Sequence, residues 1–222
     1  MKLLALDTTQ ACSVALLDGD DLCERADATP RAATAQVLPM VEAVLAEAGC
    51  GLDALDALAF ARGPGGFTGL RIAAGVVQGL ALGAGLPVVP VSSLATLAQG
   101  AFRQHGCRHV LVCVDARLDE VYWGAFAIDD AGLAVAAGPE TLSAPDAVAV
   151  DGSTRWFAVG SGWDAYPQLG ERLADVLIGR DTALPASAVD VARLAAAGFP
   201  GNAVEAEQAQ PVYLRNDVAW RT

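Results

Sequence analysis

The chain has 222 residues, of which 54% are hydrophobic, so it is long enough to bury a core in one large or two small domains and is too apolar for a disordered protein. Its 26 acidic residues outnumber its 14 basic residues, which gives a net charge of −12. Because phosphate contacts need clustered lysine and arginine, we do not expect this chain to bind nucleic acid without another subunit.

The start of the chain and its cysteines both indicate a cytoplasmic protein. The charge of Asp7 comes too early for the apolar stretch of a signal peptide. The five cysteines are scattered, odd in number and without a CxxC pair, which is typical of reduced thiols. They are Cys12, Cys23, Cys50, Cys107 and Cys113.

The first half of the chain predicts the element order βββαβαβα. Residues 2–6 form an apolar strand that ends at Asp7, and the turn around Gly19 between two strand-like runs indicates a hairpin. The other predicted elements are a helix at 34–48, a strand at 55–61, a helix at 69–83, a strand at 87–91 and a helix at 93–102.

A glycine-rich loop, RGPGGFTGLR at 62–71, separates the strand at 55–61 from the following helix. Thr68 is predicted to cap that helix, which is predicted to begin at Gly69. A strand, a glycine-rich turn and a helix N-terminus can present N–H groups to an anion, although the spacing matches neither the P-loop nor the dinucleotide motif. A tight turn is the simpler interpretation, and a vestigial phosphate site is the alternative. Its candidate residues are Asp7, Thr8, Thr9, Gly63, Gly65, Gly66, Thr68 and Gly69.

The helix at 69–83 is apolar on every side and carries a stripe of glycines, Gly75, Gly79 and Gly83. Glycine inside a helix costs about 0.5–1 kcal/mol relative to alanine, so we expect close packing of this stripe against a sheet or another helix. Residues 72–102 contain no charged side chain, but Pro87 interrupts the run. We therefore predict a buried helix, and no membrane span.

After residue 106 the order of elements begins again, and Asp115 ends a strand as Asp7 does. The predicted elements are strands at 109–114, 121–128 and 133–142, a short helix at 144–150, a strand at 156–159 and helices at 165–177 and 186–197. Two βββαβαβα halves predict an α/β fold of the actin-like, sugar-kinase-like ATPase superfamily (ASKHA). The predicted halves are residues 1–104 and 105–222, with the C-terminal tail packing back on the first half.

Several segments carry a family resemblance that spans the whole chain. They are LALDTT at 4–9, CSVAL at 12–16, VLPM at 37–40, GPGGFTGLRI at 63–72, QGLA at 78–81, VSSL at 91–94, DAR at 115–117, EVY at 120–122 and PVYLR at 211–215. Together they resemble the bacterial TsaB (YeaZ) family. Two departures are minor: Gly66 stands where serine is common, and Ala33 where many members carry histidine.

The resemblance implies a role in tRNA modification, in which threonylcarbamoyl is attached to the adenosine next to the anticodon. It implies a non-catalytic subunit that pairs with a catalytic paralogue, TsaD, is joined by a small ATPase, TsaE, and forms homodimers when alone. It further implies that tRNA is reached only through the complex. We expect no cofactor on this chain alone, and ATP with Mg²⁺ only at a complex interface.

The residues themselves argue against catalysis by this chain. The metal-binding histidines of the catalytic paralogue correspond to Ser93 and Leu97, and leucine cannot bind a metal. The two histidines of the chain, His105 and His109, are predicted to lie in a solvated turn. Residues 115–120 contain three carboxylates and no glycine, which repels a triphosphate unless Mg²⁺ intervenes. We therefore predict no catalytic residue and no metal site.

The apolar helices of the first half are the predicted partner surface. Its predicted residues are Val37, Met40, Val41, Val44, Leu70, Ala73, Ala74 and Val77. On this hypothesis Val77→Asp or Ala74→Arg leaves the chain folded and abolishes pairing. Two alternatives stay open: an independent small-molecule kinase of the same fold, and a protease-like chaperone of the paralogue.

Overall fold

The computed structural model describes residues 1–29 and 33–215 and contains two β-sheets, each with helices on both faces. Residues 30–32 and 216–222 lie outside the described residues, so the end of the predicted second half is not covered. The sheets and helices enclose four buried apolar clusters, one on each face of each sheet.

The first sheet has five strands in the order β3-β2-β1-β4-β5. They are β1 (Lys2–Asp7), β2 (Cys12–Asp18), β3 (Asp21–Asp27), β4 (Ala57–Gly63) and β5 (Val88–Ser92). The strand β1 pairs antiparallel with β2 and parallel with β4, and its residues from Leu3 to Asp7 are all buried. A strand covered on both faces reads as a continuous apolar run, which is the pattern of this segment.

Three helices belong to the first half of the chain: α1 (Ala33–Glu47), α2 (Phe67–Ala84) and α3 (Ser93–His105). The order βββαβαβα is therefore confirmed. The start of α2 differs from the prediction, because its N-cap is Gly66 and no side chain caps it. Thr68 instead lies inside the first turn.

The second sheet repeats the first. Its order is β11-β10-β6-β7-β8, with β9 also paired to β7, so β6 takes the place that β1 has in the first sheet. The strands are β6 (His109–Arg117), β7 (Glu120–Ile128), β8 (Ala134–Ala136), β9 (Thr141–Ser143), β10 (Trp156–Val159) and β11 (Leu177–Asp181). The duplicated α/β architecture of the actin-like, sugar-kinase-like superfamily is confirmed.

The helices of the second half are shorter than predicted. They are α4 (Gly162–Ala165), α5 (Pro167–Arg172) and α6 (Ala188–Gly198). The helix predicted at 165–177 is present only as α5. It cannot include Tyr166, which precedes a proline and lies outside the helical region at φ −132° and ψ 75°, and the chain leaves the helix after Arg172. The predicted helix at 144–150 is only a 3-10 turn at Pro145–Ala147, and the predicted strand at 133–142 is the two short strands β8 and β9.

The last helix of each half packs on the sheet of the other half. Helix α6 covers β1, β2, β4 and β5 of the first sheet, while α3 packs against β6, β7, β8 and β10 of the second. The residues after α6 also return to the first half, since the backbone N–H of Val212 donates to the carbonyl oxygen of Arg62 at 2.8 Å. The division at residue 104 therefore separates two sheets but not two independent cores.

Helix α2 is long and apolar enough to cross a membrane by length and composition alone. It lies instead against the first sheet, on the same face as α1. Ala73, Val77 and Ala81 belong to the buried cluster on that face, and Leu70 is buried beside it. Its apolar character is therefore that of a helix in a folded domain.

Candidate functional site

A cleft of about 900 Å³ lies between the two halves and is lined by both of them and by the tail. The first half contributes the turn after β1 and the glycine-rich loop, and the second half contributes the turn after β6. Its lining residues include Thr9, Gly65, Gly66, Phe67, Arg71, Asp115, Arg117, Ser161, Tyr213 and Arg215. Because α/β sheets bind ligands at the carboxyl ends of their strands, this is the first place to look for a site.

The structure brings the predicted loop residues of the first half together. The hydroxyl of Thr8 donates to the carbonyl oxygen of Gly69 at 2.6 Å. A Cβ added at Gly69 would lie 1.9 Å from the carbonyl oxygen of Thr8, so only glycine fits there. Gly63 has φ +108°, and a Cβ there would lie 2.7 Å from the carbonyl oxygen of Val212. At these two positions glycine is required for packing.

Asp7 is buried at the base of this loop, with 1% of its surface exposed. Its Oδ1 accepts hydrogen bonds from the backbone N–H and the hydroxyl of Thr9, at 2.8 and 2.6 Å. Its Oδ2 has no partner among the described residues. Burial raises the pKa of Asp7 to about 6, although the bonds from Thr9 act in the opposite direction.

The corresponding aspartate of the second half makes the same turn. Asp115 Oδ1 accepts from the backbone N–H of Arg117 at 2.8 Å. The residues Arg117, Leu118 and Asp119 all have positive φ, between 57° and 63°. Arg215 from the tail holds this turn, because its Nη2 donates to the carbonyl oxygens of Ala116 and Arg117 at 3.0 and 3.2 Å.

A cluster of three side chains stands at the mouth of the cleft. The Arg71 guanidinium lies 3.8 Å from the centroid of the Phe67 ring, and its Nε donates to the Tyr213 hydroxyl at 3.3 Å. Phe67 is 53% exposed and Tyr213 42% exposed. Sequence reasoning did not select these residues as a cluster, because Tyr213 and Arg71 are 142 residues apart. The only signal was that both lie in segments with the family resemblance.

The three arginines that line the cleft all have side-chain partners within the chain. Arg117 pairs with Asp115 at 3.1 Å, Arg215 pairs with Glu120 at 2.8 Å, and Arg71 is stacked on Phe67. The arginines are therefore already engaged, and two carboxylates stand beside them. In the second half, Gly160 and Gly162 pack against Cys113, where an added Cβ would lie 2.4 Å from its carbonyl oxygen and 2.7 Å from its Sγ, respectively.

The two histidines are exposed at the junction between α3 and β6, as predicted, but they lie at the ends of these two elements and not within the turn itself. His105 ends α3, and its Nε2 lies 2.8 Å from Asp181 Oδ2. His109 begins β6 and packs edge-on against Trp156, with 5.7 Å between the ring centroids. Ser93 is buried and accepts a hydrogen bond from the backbone N–H of Gly63 at 3.0 Å, and Leu97 is buried in the core of the second half.

Thiol and metal chemistry find little support in the described residues. Burial raises the pKa of the Cys12 thiol to about 11 and that of Cys113 to about 12, so both stay protonated at neutral pH. Across residues 1–29 and 33–215, no three side chains of His, Cys, Asp or Glu are grouped to hold a metal ion.

The predicted partner surface needs a correction. Seven of its eight residues are buried in the chain's own core, and Met40 is half-buried against it. The seven are Val37, Val41, Val44, Leu70, Ala73, Ala74 and Val77. Their spacing marks the inner faces of α1 and α2, which pack on the first sheet. Val77→Asp is therefore expected to disrupt the fold itself and is unsuitable as a test of pairing.

The outer face of α2 is the one left uncovered. Gly75, Gly79 and Gly83 are exposed, and a Cβ added to any of them would meet nothing within 4 Å. Among the described residues, no sheet or helix of this chain packs closely against the stripe, so the packing partner that the sequence predicts is not supplied within the chain. Leu82 beside it is 70% exposed, and Leu38 on α1 is 48% exposed. We call Gly75, Gly79, Leu82 and Gly83 the outer face of α2.

Comparisons with known proteins point to one family. A family model described as TsaD, tRNA N6-adenosine threonylcarbamoyltransferase, matches residues 27–148. The chain is 44% identical to the tRNA threonylcarbamoyladenosine biosynthesis protein TsaB of Escherichia coli (strain K12), over 100% of this chain and 97% of that protein. It is 40% identical to the protein of the same name from Haemophilus influenzae, over 100% and 96%. The solved structure of YeaZ from Pseudomonas aeruginosa is 47% identical, with a TM-score of 0.89 over 96% of this chain and 99% of that one.

Proposed function

Since the chain belongs to the TsaB family of tRNA threonylcarbamoyladenosine biosynthesis proteins, we propose that it acts in that pathway as a non-catalytic subunit. On this proposal it pairs with a TsaD-like transferase, and a TsaE-like ATPase joins the pair. The modified nucleoside is the adenosine next to the anticodon, and tRNA reaches this chain only through the complex. With 14 basic against 26 acidic residues, the chain offers little charge for RNA of its own.

The observation that carries the proposal is the outer face of α2. An apolar helix normally buries all its sides, and this one leaves a glycine stripe and Leu82 exposed. Glycines let two helix backbones approach closely, and the cost of about 0.5–1 kcal/mol for each glycine is then offset by contact with a partner. We propose that this face binds the TsaD-like paralogue, and a second copy of the chain when the paralogue is missing.

The state of the cleft supports a subunit without activity of its own. Its arginines are engaged within the chain, and the positions that correspond to metal ligands hold Ser93 and Leu97. We propose that ATP with Mg²⁺, where it takes part, is held only between chains. The five free cysteines agree with a cytoplasmic location, which is also part of the proposal.

The test is light scattering coupled to size-exclusion chromatography. The chain is run alone and then mixed with the TsaD-like paralogue of the same organism. We expect a homodimer that is replaced by a one-to-one heterodimer. If the two proteins elute apart and do not exchange, the proposal fails, and ATP turnover by the purified chain becomes the next measurement.

Matched glycine variants locate the surface. Gly79→Arg places a long charged side chain on the outer face of α2, and we expect it to weaken pairing by at least about 100-fold. Gly152→Arg is the control, since Gly152 is also exposed with nothing within 4 Å of an added Cβ, but lies in the second half. Equal pairing by both variants would place the interface elsewhere.

A further inference from the structure

A second hollow, of about 460 Å³, lies on the outer face of the second sheet and apart from the cleft. Its floor consists of small residues, among them Ala125 and Ala127 of β7 and the exposed Gly138. Two of the chain's four tryptophans, Trp123 and Trp156, line it. We call it the tryptophan pocket.

The pocket exists because the second half lacks one helix of the first. In the first half α1 packs over β2 and β3. The equivalent strands of the second sheet are β7 and β8, and the chain between β8 and β10 forms only β9 and a 3-10 turn. The alanines of β7 are therefore left half-buried where a helix would otherwise cover them.

Unpaired polar atoms accompany this uncovered face. Three buried side-chain atoms have no hydrogen-bond partner among the described residues, and two of them, Trp156 Nε1 and Thr141 Oγ1, belong to residues that line the tryptophan pocket. Trp156 is 5% exposed. By contrast Trp123 Nε1 donates to the Ser143 hydroxyl at 3.0 Å. A buried donor without a partner is unfavourable, so a ligand that supplies an acceptor gains from pairing with it, and the pairing requires the buried Trp156 indole to turn toward the pocket.

The charges around the pocket select among ligands. No lysine or arginine lines it, and its one histidine, His109, packs edge-on against Trp156, so it offers no permanent positive charge to a phosphate group. Its one carboxylate, Asp151, already accepts from the backbone N–H of Ser153 at 3.0 Å and from the Ser153 hydroxyl, which makes it a poor partner for a cation. An aliphatic ligand would leave the Trp156 N–H unpaired.

We propose that the tryptophan pocket binds an uncharged, planar heteroaromatic ring of the nucleobase class. Such a ring stacks on the half-buried Trp123 indole, fits against the alanines of β7 and carries ring nitrogens or carbonyl oxygens as acceptors for the Trp156 N–H. The volume is within the usual range of small-molecule sites, about 300–1,000 Å³. The proposal does not depend on pairing through α2 and extends beyond it.

The experiment uses adenosine as the probe and records the indole N–H signals of the full chain by NMR. We expect saturable shifts for Trp123 and Trp156, with a dissociation constant of about 0.1–5 mM. Trp163 should not shift, because it is buried elsewhere and its Nε1 donates to the Val159 carbonyl oxygen at 3.1 Å. The absence of saturable shifts up to about 10 mM adenosine would overturn the proposal.

Variants separate the pocket from other places of binding. Ala127→Leu fills the floor and should weaken binding by at least about tenfold, whereas Ala136→Leu, exposed on the opposite face of β8, should not change it. Trp156→Phe keeps an aromatic ring without the donor and should weaken binding about three- to tenfold. Adenosine binding that survives Ala127→Leu contradicts the proposal.

Two further probes test the chemistry of the ligand. AMP should bind no more tightly than adenosine, because no lysine or arginine lines the pocket for its phosphate. Tetramethylammonium should bind more weakly than adenosine, because it cannot accept a hydrogen bond. Tighter binding of either compound would overturn the assignment to an uncharged ring.

Discussion

Arg103 and Asp190 join the two helices that the halves exchange. The guanidinium of Arg103, on α3, donates from Nε and Nη2 to the two carboxylate oxygens of Asp190, on α6, at 2.9 and 2.8 Å. The carboxylate is 1% exposed and the guanidinium 33% exposed. This paired contact is an electrostatic link between the two halves within the fold.

Asp190→Ala should destabilise the chain by about 1–3 kcal/mol, because it removes the two charge-assisted hydrogen bonds that join α3 to α6. Urea unfolding monitored by circular dichroism measures the change. Arg25→Ala is the control, since Arg25 pairs with Glu47 at the surface and its loss should cost less than about 1 kcal/mol. Equal costs for the two variants would contradict the structural role of the exchanged-helix pair.

Asp7→Asn should change the pH dependence of stability. The folded pKa of Asp7, about 6, lies above its ordinary value of 3.8, so the folded state binds the proton more tightly than the unfolded state. Stability from this group is therefore present below pH 4 and is lost as the pH rises to about 6. Asparagine carries no charge, so the variant should not lose stability between pH 4 and 6 in this way. Above pH 6 it should be more stable than the unchanged chain by about 2–3 kcal/mol at most.

Urea unfolding at a series of pH values tests this expectation. Asp27→Asn is the matched control, because Asp27 makes the same turn contact, to the Thr29 N–H at 2.7 Å, but its pKa is lowered by the hydrogen bonds from Thr29. That control should keep the fall between pH 4 and 6. An Asp7→Asn variant that also keeps it would show that Asp7 is not the group responsible.

Two glycines that look alike in the sequence should respond to alanine in opposite directions. Gly69→Ala places a Cβ 1.9 Å from the Thr8 carbonyl oxygen and should destabilise the fold by about 2–4 kcal/mol. Gly79→Ala meets nothing and should stabilise the monomer by about 0.5–1 kcal/mol through helix propensity. Thermal unfolding at low protein concentration gives both values, and the same sign for both would refute the assignment of packed and open positions.

Arg215→Ala should loosen the turn after β6. The residues at 117–119 hold positive φ and are tied to the tail by the Arg215 bonds to two carbonyl oxygens and by its ion pair with Glu120. We expect faster hydrogen exchange at 117–119 and a loss of stability of about 1–2 kcal/mol. For Arg215→Lys, both the exchange rate and the stability should lie between those of the unchanged chain and those of Arg215→Ala, because an ammonium cannot reproduce the planar fork of a guanidinium. Unchanged hydrogen exchange at 117–119 in Arg215→Ala would mean that the turn keeps its conformation without the tail.

The strands of the first half and their order along the chain were predictable because the local pattern suffices for them. The apolar run that became β1, and the turn at Gly19 with φ +61°, each signal their structure within a few residues. The same holds for the end of α2, where Gly85 adopts φ +67°. The helix predicted at 165–177 was too long, and its start was misplaced although the signal was local, because Pro167 acts on the residue before it.

The direction in which α2 faces could not be read from its sequence. A helix that is apolar on all sides has no polar stripe to mark solvent, so Val77 and Gly79 carry the same expectation although one is buried and the other open. The side-chain cluster at the mouth of the cleft was beyond prediction for a different reason. Phe67, Arg71 and Tyr213 meet only through the return of the tail, and no periodicity connects residues so far apart.

The exchange of α3 and α6 has a consequence for synthesis on the ribosome. When the first half has emerged from the ribosome, α6 has not yet been translated, since it ends at Gly198. The face of the first sheet that α6 covers, which is built mainly from alanine and valine, is then still exposed. Until α6 is translated, that face is open to water and to chaperones. The nascent chain therefore cannot complete its first half before nearly all of its second half has been translated, and a transcript truncated near residue 104 should yield a protein that degrades rather than folds.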